Sequence, residues 1–265
     1  MILATDLDGT LIPLDADSNQ QLDLQILGQL LKQFQVPLIY VTGRHLESVE
    51  TARQEFQLPA PQLVICDVGS SIYEILPDGS HRLNSTYQQH QRELIQSETR
   101  DVIENLLNQV AGLELQETEK QGEFKVSYYS DSTLLAELGH EINQLLSRNN
   151  LPWGLTTSVD PFNSDGLLDL MPRGISKGYA LNWWADQSAV PLDRIVFAGD
   201  SGNDFAAFVH GYRTIIVQNA SGKLVEAVRA ELHSRGLAGQ LYHAQKPASS
   251  GVLEGCHAWG MFVEK

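Results

Sequence analysis

Residues 3–11 read LATDLDGTL: an apolar run, then two aspartates one residue apart, then Gly-Thr. The run lacks the polar alternation of a half-wet strand, so it reads as a strand covered on both faces. Outward from it the same rhythm continues. An amphipathic pattern at 22–34 places Leu22, Ile26, Leu27, Leu30 and Leu31 on one helical face, and VPLIYVTG (36–43) is a second apolar run. A helix over 45–56 and a third run, QLVICDVG (62–69), follow. Strands without alternation, separated by amphipathic helices, predict an α/β fold with a Rossmann-like, doubly wound parallel sheet.

The middle of the chain has a different period. A long polar helix is expected over 87–110 and another over 132–148. EFKVSYY (123–129) alternates, with Lys125, Ser127 and Tyr129 on one face and Phe124, Val126 and Tyr128 on the other, and WGLTTSV (153–159) is strand-like. Period two means an antiparallel sheet with one buried face. The expectation is an α+β cap domain over 84–164, inserted into a core of 1–83 and 165–265. Turn clusters at PDGS (77–80) and DPFNSDG (160–166) mark its limits. The core rhythm then resumes with GLLDLMP (166–172), a helix from about Ser176, RIVFAG (194–199), YRTIIVQ (212–218), a helix from Ser221 and a last helical stretch after Ser250.

The chain has 265 residues, 42% of them apolar, enough for a substantial core. Its formal charge of −15 disfavours nucleic acid and anionic membrane surfaces as partners. Two cysteines, Cys66 and Cys256, make no disulfide framework, though a single bridge is compatible with the sequence. No stretch of 18 apolar residues occurs, and Asp6 and Asp8 interrupt the only N-terminal candidate for a leader, so a cytoplasmic location is expected. A monomer or small homo-oligomer is expected.

Three apolar strands deliver polar residues at their carboxyl ends: Asp6 and Asp8, Thr42, and Asp200. In open parallel sheets those ends form the ligand crevice, so the groups converge despite their separation in sequence. Lys177 lies just inside a helix N-terminus, where a cation opposes the macrodipole unless an anion is nearby. Clustered carboxylates repel one another and would repel a phosphate. A Mg²⁺ ion held by hard oxygen ligands removes the conflict. One carboxylate then attacks phosphorus while its neighbour two residues on moves the proton.

Four motifs, D-L-D-G-T (Asp6 to Thr10), T-G-R (Thr42 to Arg44), S-K-G (Ser176 to Gly178) and G-D-S-G-N-D (Gly199 to Asp204), together resemble the haloacid dehalogenase superfamily of aspartate-nucleophile phosphatases. The resemblance implies that Asp6 is the nucleophile and Asp8 the acid/base. It implies that Asp6, Asp8 (through its carbonyl) and Asp200 hold Mg²⁺, and that Thr42, Gly43 and Lys177 hold phosphate. Thr10, Asn203 and Asp204 would support them.

VGSSIY (68–73), FKVSYY (124–129), LLDLMP-x3-SKG and SSGVLEG (249–255) further resemble sucrose-phosphate phosphatases and their relatives. This implies a small sugar phosphate as substrate, sucrose 6-phosphate first, with glucosylglycerate, mannosylglycerate and glucosylglycerol phosphates as alternatives. A phosphomutase or a silent binding relative would use the same residues. Position 71 is Ser where that resemblance leads one to expect Glu, and the His45-Leu46-Glu47 segment also departs from it. Arg44, His45, Gly69 and Ser70 at strand ends, and Lys125 under the cap, are the expected substrate contacts. A signalling receiver pairs similar residue types, but it carries its phosphoacceptor after the third strand and has no inserted domain. The aromatic pair Trp183 and Trp184 reads as core packing, and the eight histidines show no metal-ligand spacing.

Overall fold

The computed structural model describes residues 1–14, 17–160 and 163–263. Its larger sheet has eight strands. In chain order they are β1 (Ile2–Thr5), β2 (Leu38–Val41), β3 (Leu63–Cys66), β4 (Ser71–Ile75), β5 (His81–Leu83), β10 (Ile195–Gly199), β11 (Arg213–Ile216) and β12 (Leu241–His243), arranged 12-11-10-1-2-3-4-5. The intervening β6 (Glu114–Leu115), β7 (Val126–Ser130), β8 (Trp153–Val159) and β9 (Gly166–Pro172) form a second sheet in the order 6-7-9-8. The helices are α1 (Ser18–Gln33), α2 (Leu46–Glu55), α3 (Ser85–Ile95), α4 (Arg100–Leu107), α5 (Leu135–Arg148), α6 (Lys177–Gln187), α7 (Phe205–Phe208), α8 (Gly222–Ser234) and α9 (Ala248–Ala258).

The expected α/β core is present. The pairs β12–β11, β11–β10, β10–β1, β1–β2 and β2–β3 are all parallel. Buried side chains of α1, α2 and α9 pack on one face and those of α6, α7 and α8 on the other. Strands buried on both faces need no polar alternation, which is why MILAT and VPLIYV read as they do. The strand order reverses at β1, so Asp6 leaves the sheet at a topological switch point between β10 and β2.

Three expectations change. The run Gly166–Pro172 is not a core strand: β9 pairs antiparallel with β7 and β8 as an interior strand of the second sheet. Both faces of a central strand are covered, so its apolar run mimics a parallel core strand. The long helix expected over 87–110 is two helices, α3 and α4. The first ends where Gln96 takes φ 54. α3 packs on the larger sheet, with Tyr87 buried in that core and its hydroxyl donating to the Gly69 carbonyl at 2.7 Å. The division at 84–164 therefore does not follow the division between the sheets. The PDGS turn joins β4 to β5 as a hairpin and marks no boundary, with Leu76 N–H donating to the Ser80 carbonyl at 2.9 Å. The second cluster, at 160–166, lies partly outside the described residues.

The second sheet buries Val126 and Tyr128 with Leu168 and Leu170 against Ile103, Leu107, Ile142 and Leu146 of α4 and α5. Its opposite face carries Lys125, Ser127 and Tyr129, as the alternation predicts. Cys66 and Cys256 are buried and free. Trp183 packs against Tyr87 with ring centroids 4.8 Å apart, a core contact.

Candidate active site

A cavity of about 300 Å³ lies between the carboxyl ends of the core strands and the polar face of the second sheet. Of the expected site residues, Asp6, Asp8, Gly43, Arg44, His45, Lys125, Lys177, Asp200 and Asn203 line it. Thr10, Thr42 and Asp204 lie buried beneath.

Asp6 follows β1 directly, and its backbone N–H extends the ladder to the Ala198 carbonyl at 2.9 Å. Its carboxylate sits 2.9 Å from the Lys177 ammonium, whose other partner is Asp204 Oδ1 at 2.8 Å. Lys177 is fully buried at the first turn of α6. Asp204 also accepts from the backbone N–H groups of Asp200 and Ser201, both at 3.1 Å, which folds the loop after β10 around it. Asp200 in turn accepts from Thr10 Oγ1 at 2.9 Å and from Asn219 Nδ2 at 3.3 Å.

The close approach of two strand ends fixes one backbone requirement. A Cβ on Gly9, at φ +74, would lie 2.4 Å from Asp200 Oδ2, so this turn needs glycine.

One lysine among three carboxylates explains the proton affinities. Burial first, then the Asp204 charge, raises the Asp6 pKa well above the ordinary carboxylate range, with Lys177 opposing them. Burial and Asp204 push Asp200 up to about 7. Burial acts to lower the Lys177 pKa, but the Asp204 and Asp6 charges outweigh it and hold the ammonium protonated. Among the described residues, Asp6, Asp200 and Asp204 can each bring an oxygen within 4.8 Å of the others. A hard-oxygen set short of positive charge fits a divalent cation such as Mg²⁺. Because Asp204 is saturated by Lys177 and two N–H groups, Asp6 and Asp200 are the carboxylates left for it.

The Asp8 side chain is held differently. Both its oxygens accept from Arg44, from Nε at 2.8 Å and from Nη2 at 2.7 Å, while Arg44 Nη1 donates to Ser48 Oγ at 2.9 Å. Arg44, expected to touch substrate, thus grips Asp8 at the cavity edge. Thr42 is fully buried, and its Oγ1 accepts from the Arg44 N–H at 3.2 Å, the local turn-holding role that its sequence position equally allows.

Gly69 and Ser70 do not line the cavity. Gly69 packs so closely on α6 that a Cβ would lie 2.3 Å from the Ser176 carbonyl oxygen. Ser70 Oγ donates to the Asp67 carbonyl at 3.1 Å, and the Ser70 carbonyl accepts from Gln91 at 2.8 Å. Both hold the bend after β3, where Asp67 and Val68 take φ 54 and 58.

The sequence reading missed Ser48, Asp67, Asp169 and Asn219. Asn219 Nδ2 also donates to the Gly9 carbonyl at 2.8 Å, and its Oδ1 accepts from the Ala248 N–H at 2.9 Å. Its signal was its place after an apolar run, the same signal that identified Asp6 and Asp200.

Residues 1–260 match the family model described as sucrose-6F-phosphate phosphohydrolase. The chain belongs to that family. It is a phosphoric monoester hydrolase of the haloacid dehalogenase superfamily. The mannosylfructose-phosphate phosphatase of Agrobacterium fabrum is 29% identical over 98% of this chain and 97% of its own. A glucosylglycerol-phosphate synthase of Pseudomonas anguilliseptica is 27% identical over 96% of this chain, which matches 30% of that protein. The sucrose-phosphatase of Synechocystis, solved with sucrose and phosphate, has 25% identity and a TM-score of 0.79, covering 98% of each chain. The family's phosphatase activity agrees with a carboxylate and lysine cluster opening on a polar cavity. No helix among the described residues is long and apolar enough to cross a membrane.

Proposed function

We propose that the protein is a Mg²⁺-dependent phosphatase that hydrolyses a small sugar phosphate, sucrose 6-phosphate foremost, through an aspartyl-phosphate. The observation that carries this reading is the Asp6 carboxylate, held 2.9 Å from Lys177 at the switch point of the sheet and facing the cavity. An Asp6 oxygen attacks phosphorus, and the sugar oxygen leaves with a proton from Asp8. The Asp8 carboxylate then takes a proton from water as that water attacks phosphorus, breaking the bond to Asp6 and freeing phosphate. Lys177 and the backbone at Gly43 stabilise charge on the phosphoryl oxygens. Asp6, the Asp8 carbonyl and Asp200 would hold Mg²⁺, which supplies charge neutralisation at the phosphoryl group. The second sheet, as cap, would select the sugar. The protein relatives named for mannosylfructose phosphate and glucosylglycerol phosphate make those esters the first alternatives.

The test is phosphate release from sucrose 6-phosphate, mannosylfructose, glucosylglycerol, glucosylglycerate and mannosylglycerate phosphates and common hexose phosphates, with Mg²⁺ and with chelator. Release from none of them in Mg²⁺ overturns the reading; a strong preference for another ester overturns only the sugar.

Removing the Arg44 grip is expected to matter most where the leaving oxygen needs a proton. Arg44→Gln should lower kcat about 10²-fold for a sugar phosphate, the typical cost of a catalytic group displaced by about 1 Å, and much less for p-nitrophenyl phosphate, whose phenolate leaves unaided. Equal losses for both esters would show that Arg44 does not act through Asp8.

Metal and pH should be coupled. Asp200 holds its proton up to about 7 in the fold but only to about 3.8 when unfolded, so the metal-free protein loses this stability as pH rises through that window. Mg²⁺ binds the ionised form and restores stability. At a hundred times its Kd it should add about 2.7 kcal/mol, or roughly 5 to 10 °C in Tm for a chain of this size. Calorimetry should record a larger Mg²⁺ shift at pH 8 than at pH 5.5, and equal shifts would count against these ligands.

A further inference from the structure

The cavity wall opposite Asp6 carries charges for which the phosphate chemistry has no use. Lys125, 4% exposed, lies 3.6 Å from Asp67 on the core and 3.6 Å from Asp169 in β9. Its ammonium donates to the Lys120 carbonyl at 3.3 Å. One ammonium therefore lies between two carboxylates without a short contact to either, and Asp169 also accepts from Ser127 Oγ at 2.6 Å. Lys120 is matched by Glu117 at 3.1 Å and also donates to the Tyr129 hydroxyl. Every lysine and arginine among the described lining residues, Arg44, Lys120, Lys125 and Lys177, already faces a carboxylate. Asp160 adds another acidic group to this wall.

Asp67 is held in place with some force. It occupies the left-handed region at φ 54, its N–H donates to the Arg44 carbonyl at 3.0 Å, and its own carbonyl accepts from the Ser70 N–H at 3.1 Å, one residue before Ser71. Ser71 is the position where the sequence departs from its resemblance. The backbone of a non-glycine residue is rarely kept in this region without a local reason.

We propose that Asp67 is a specificity-determining residue. Beside Asp169 it gives Lys125 a second carboxylate and makes this wall acidic, so the site takes a phosphate whose leaving group is an uncharged polyol and rejects one bearing its own carboxylate. Polyol hydroxyls donate to the lone pairs left open on Asp169, which lines the cavity, while Asp67, outside the lining, acts through Lys125. A carboxylate entering the same space loses its water against like charges and finds no unmatched cation. The inference rests on the phosphatase reading, and Asp67 acts here by setting the charge that Lys125 and Asp169 present.

The experiment compares kcat/KM for two esters that differ at one carbon, a hydroxymethyl in glucosylglycerol phosphate and a carboxylate in glucosylglycerate phosphate, with p-nitrophenyl phosphate as the control for chemistry. Wild type should prefer the uncharged ester by about a hundredfold, the scale of like-charge rejection at a binding site. Asp67→Asn should narrow that ratio about tenfold, while Asp67→Glu keeps it. A ratio cancels any general loss of folded protein, so damage to the structure alone would not move it. If p-nitrophenyl phosphate is hydrolysed but the uncharged ester is not preferred, or if Asp67→Asn leaves the ratio unchanged, the inference is overturned. If none of the three loses phosphate while another ester of the panel above does, the inference is overturned and the phosphatase reading stands; if no ester of that panel loses phosphate, both fall.

Discussion

Asp6→Asn is expected to be inactive and, without metal, more stable than wild type. The amide keeps the shape of the side chain but cannot form the acyl-phosphate bond, so kcat should fall by at least about 10⁴-fold, as for other covalent nucleophiles. The stability gain follows from the crowding around it. Burial and the Asp204, Asp200 and Asp8 carboxylates raise the Asp6 pKa, with only Lys177 opposing them. The ionised side chain is therefore a cost to the fold at pH 8, and the cost disappears as pH falls through the raised pKa toward the ordinary range. Tm of the variant in chelator should exceed wild type at pH 8 and converge with it near pH 4. A variant that still releases phosphate at the wild-type rate would rule out Asp6 as the nucleophile; one that is less stable at pH 8 would contradict the crowding.

Lys177→Met is expected to fail in both respects. The ammonium is fully buried between Asp6 at 2.9 Å and Asp204 at 2.8 Å. Removing one partner of a buried ion pair leaves an uncompensated charge and typically costs about 3–5 kcal/mol. Here two carboxylates lose the same cation. Urea unfolding should show a lower midpoint with an unchanged slope. In Mg²⁺, kcat should fall by about 10²- to 10³-fold, the usual loss for one electrostatic donor to the reacting group. Wild-type activity with a stability loss below about 1 kcal/mol would mean that the lysine neither holds phosphate nor balances the acids.

Much of this could be read from strand ends. MILAT, LIYV and IVFA each run unbroken into a polar residue, and in a parallel sheet those residues meet at one edge. Asp6, Thr42 and Asp200 were therefore legible as neighbours at that edge before any coordinates, and Lys177 was legible from its place at a helix start. The alternation in EFKVSYY likewise gave the correct faces for Lys125 and Val126. What failed was sheet membership. GLLDLMP has no alternation because β9 is flanked by strands and covered on both faces, and pattern alone cannot distinguish that from a parallel core strand. Asp169 was hidden in that same run. Arg44, expected at the substrate, lines the cavity and also grips Asp8, a pairing that chain spacing does not reveal. Gly69 and Ser70 were placed at the right bend, but the bend serves the packing of α3 and α6.

The bend after β3 carries a consequence for how this chain tolerates change. Val68 is a β-branched residue held at φ 58, a conformation that costs of order 1–3 kcal/mol, and its side chain lines the cavity. Selection for heat resistance alone would favour glycine or asparagine there, relieving the backbone at once. The same exchange would change the shape of the cavity at that point. Position 68 is thus a point where backbone ease and cavity shape pull in opposite directions.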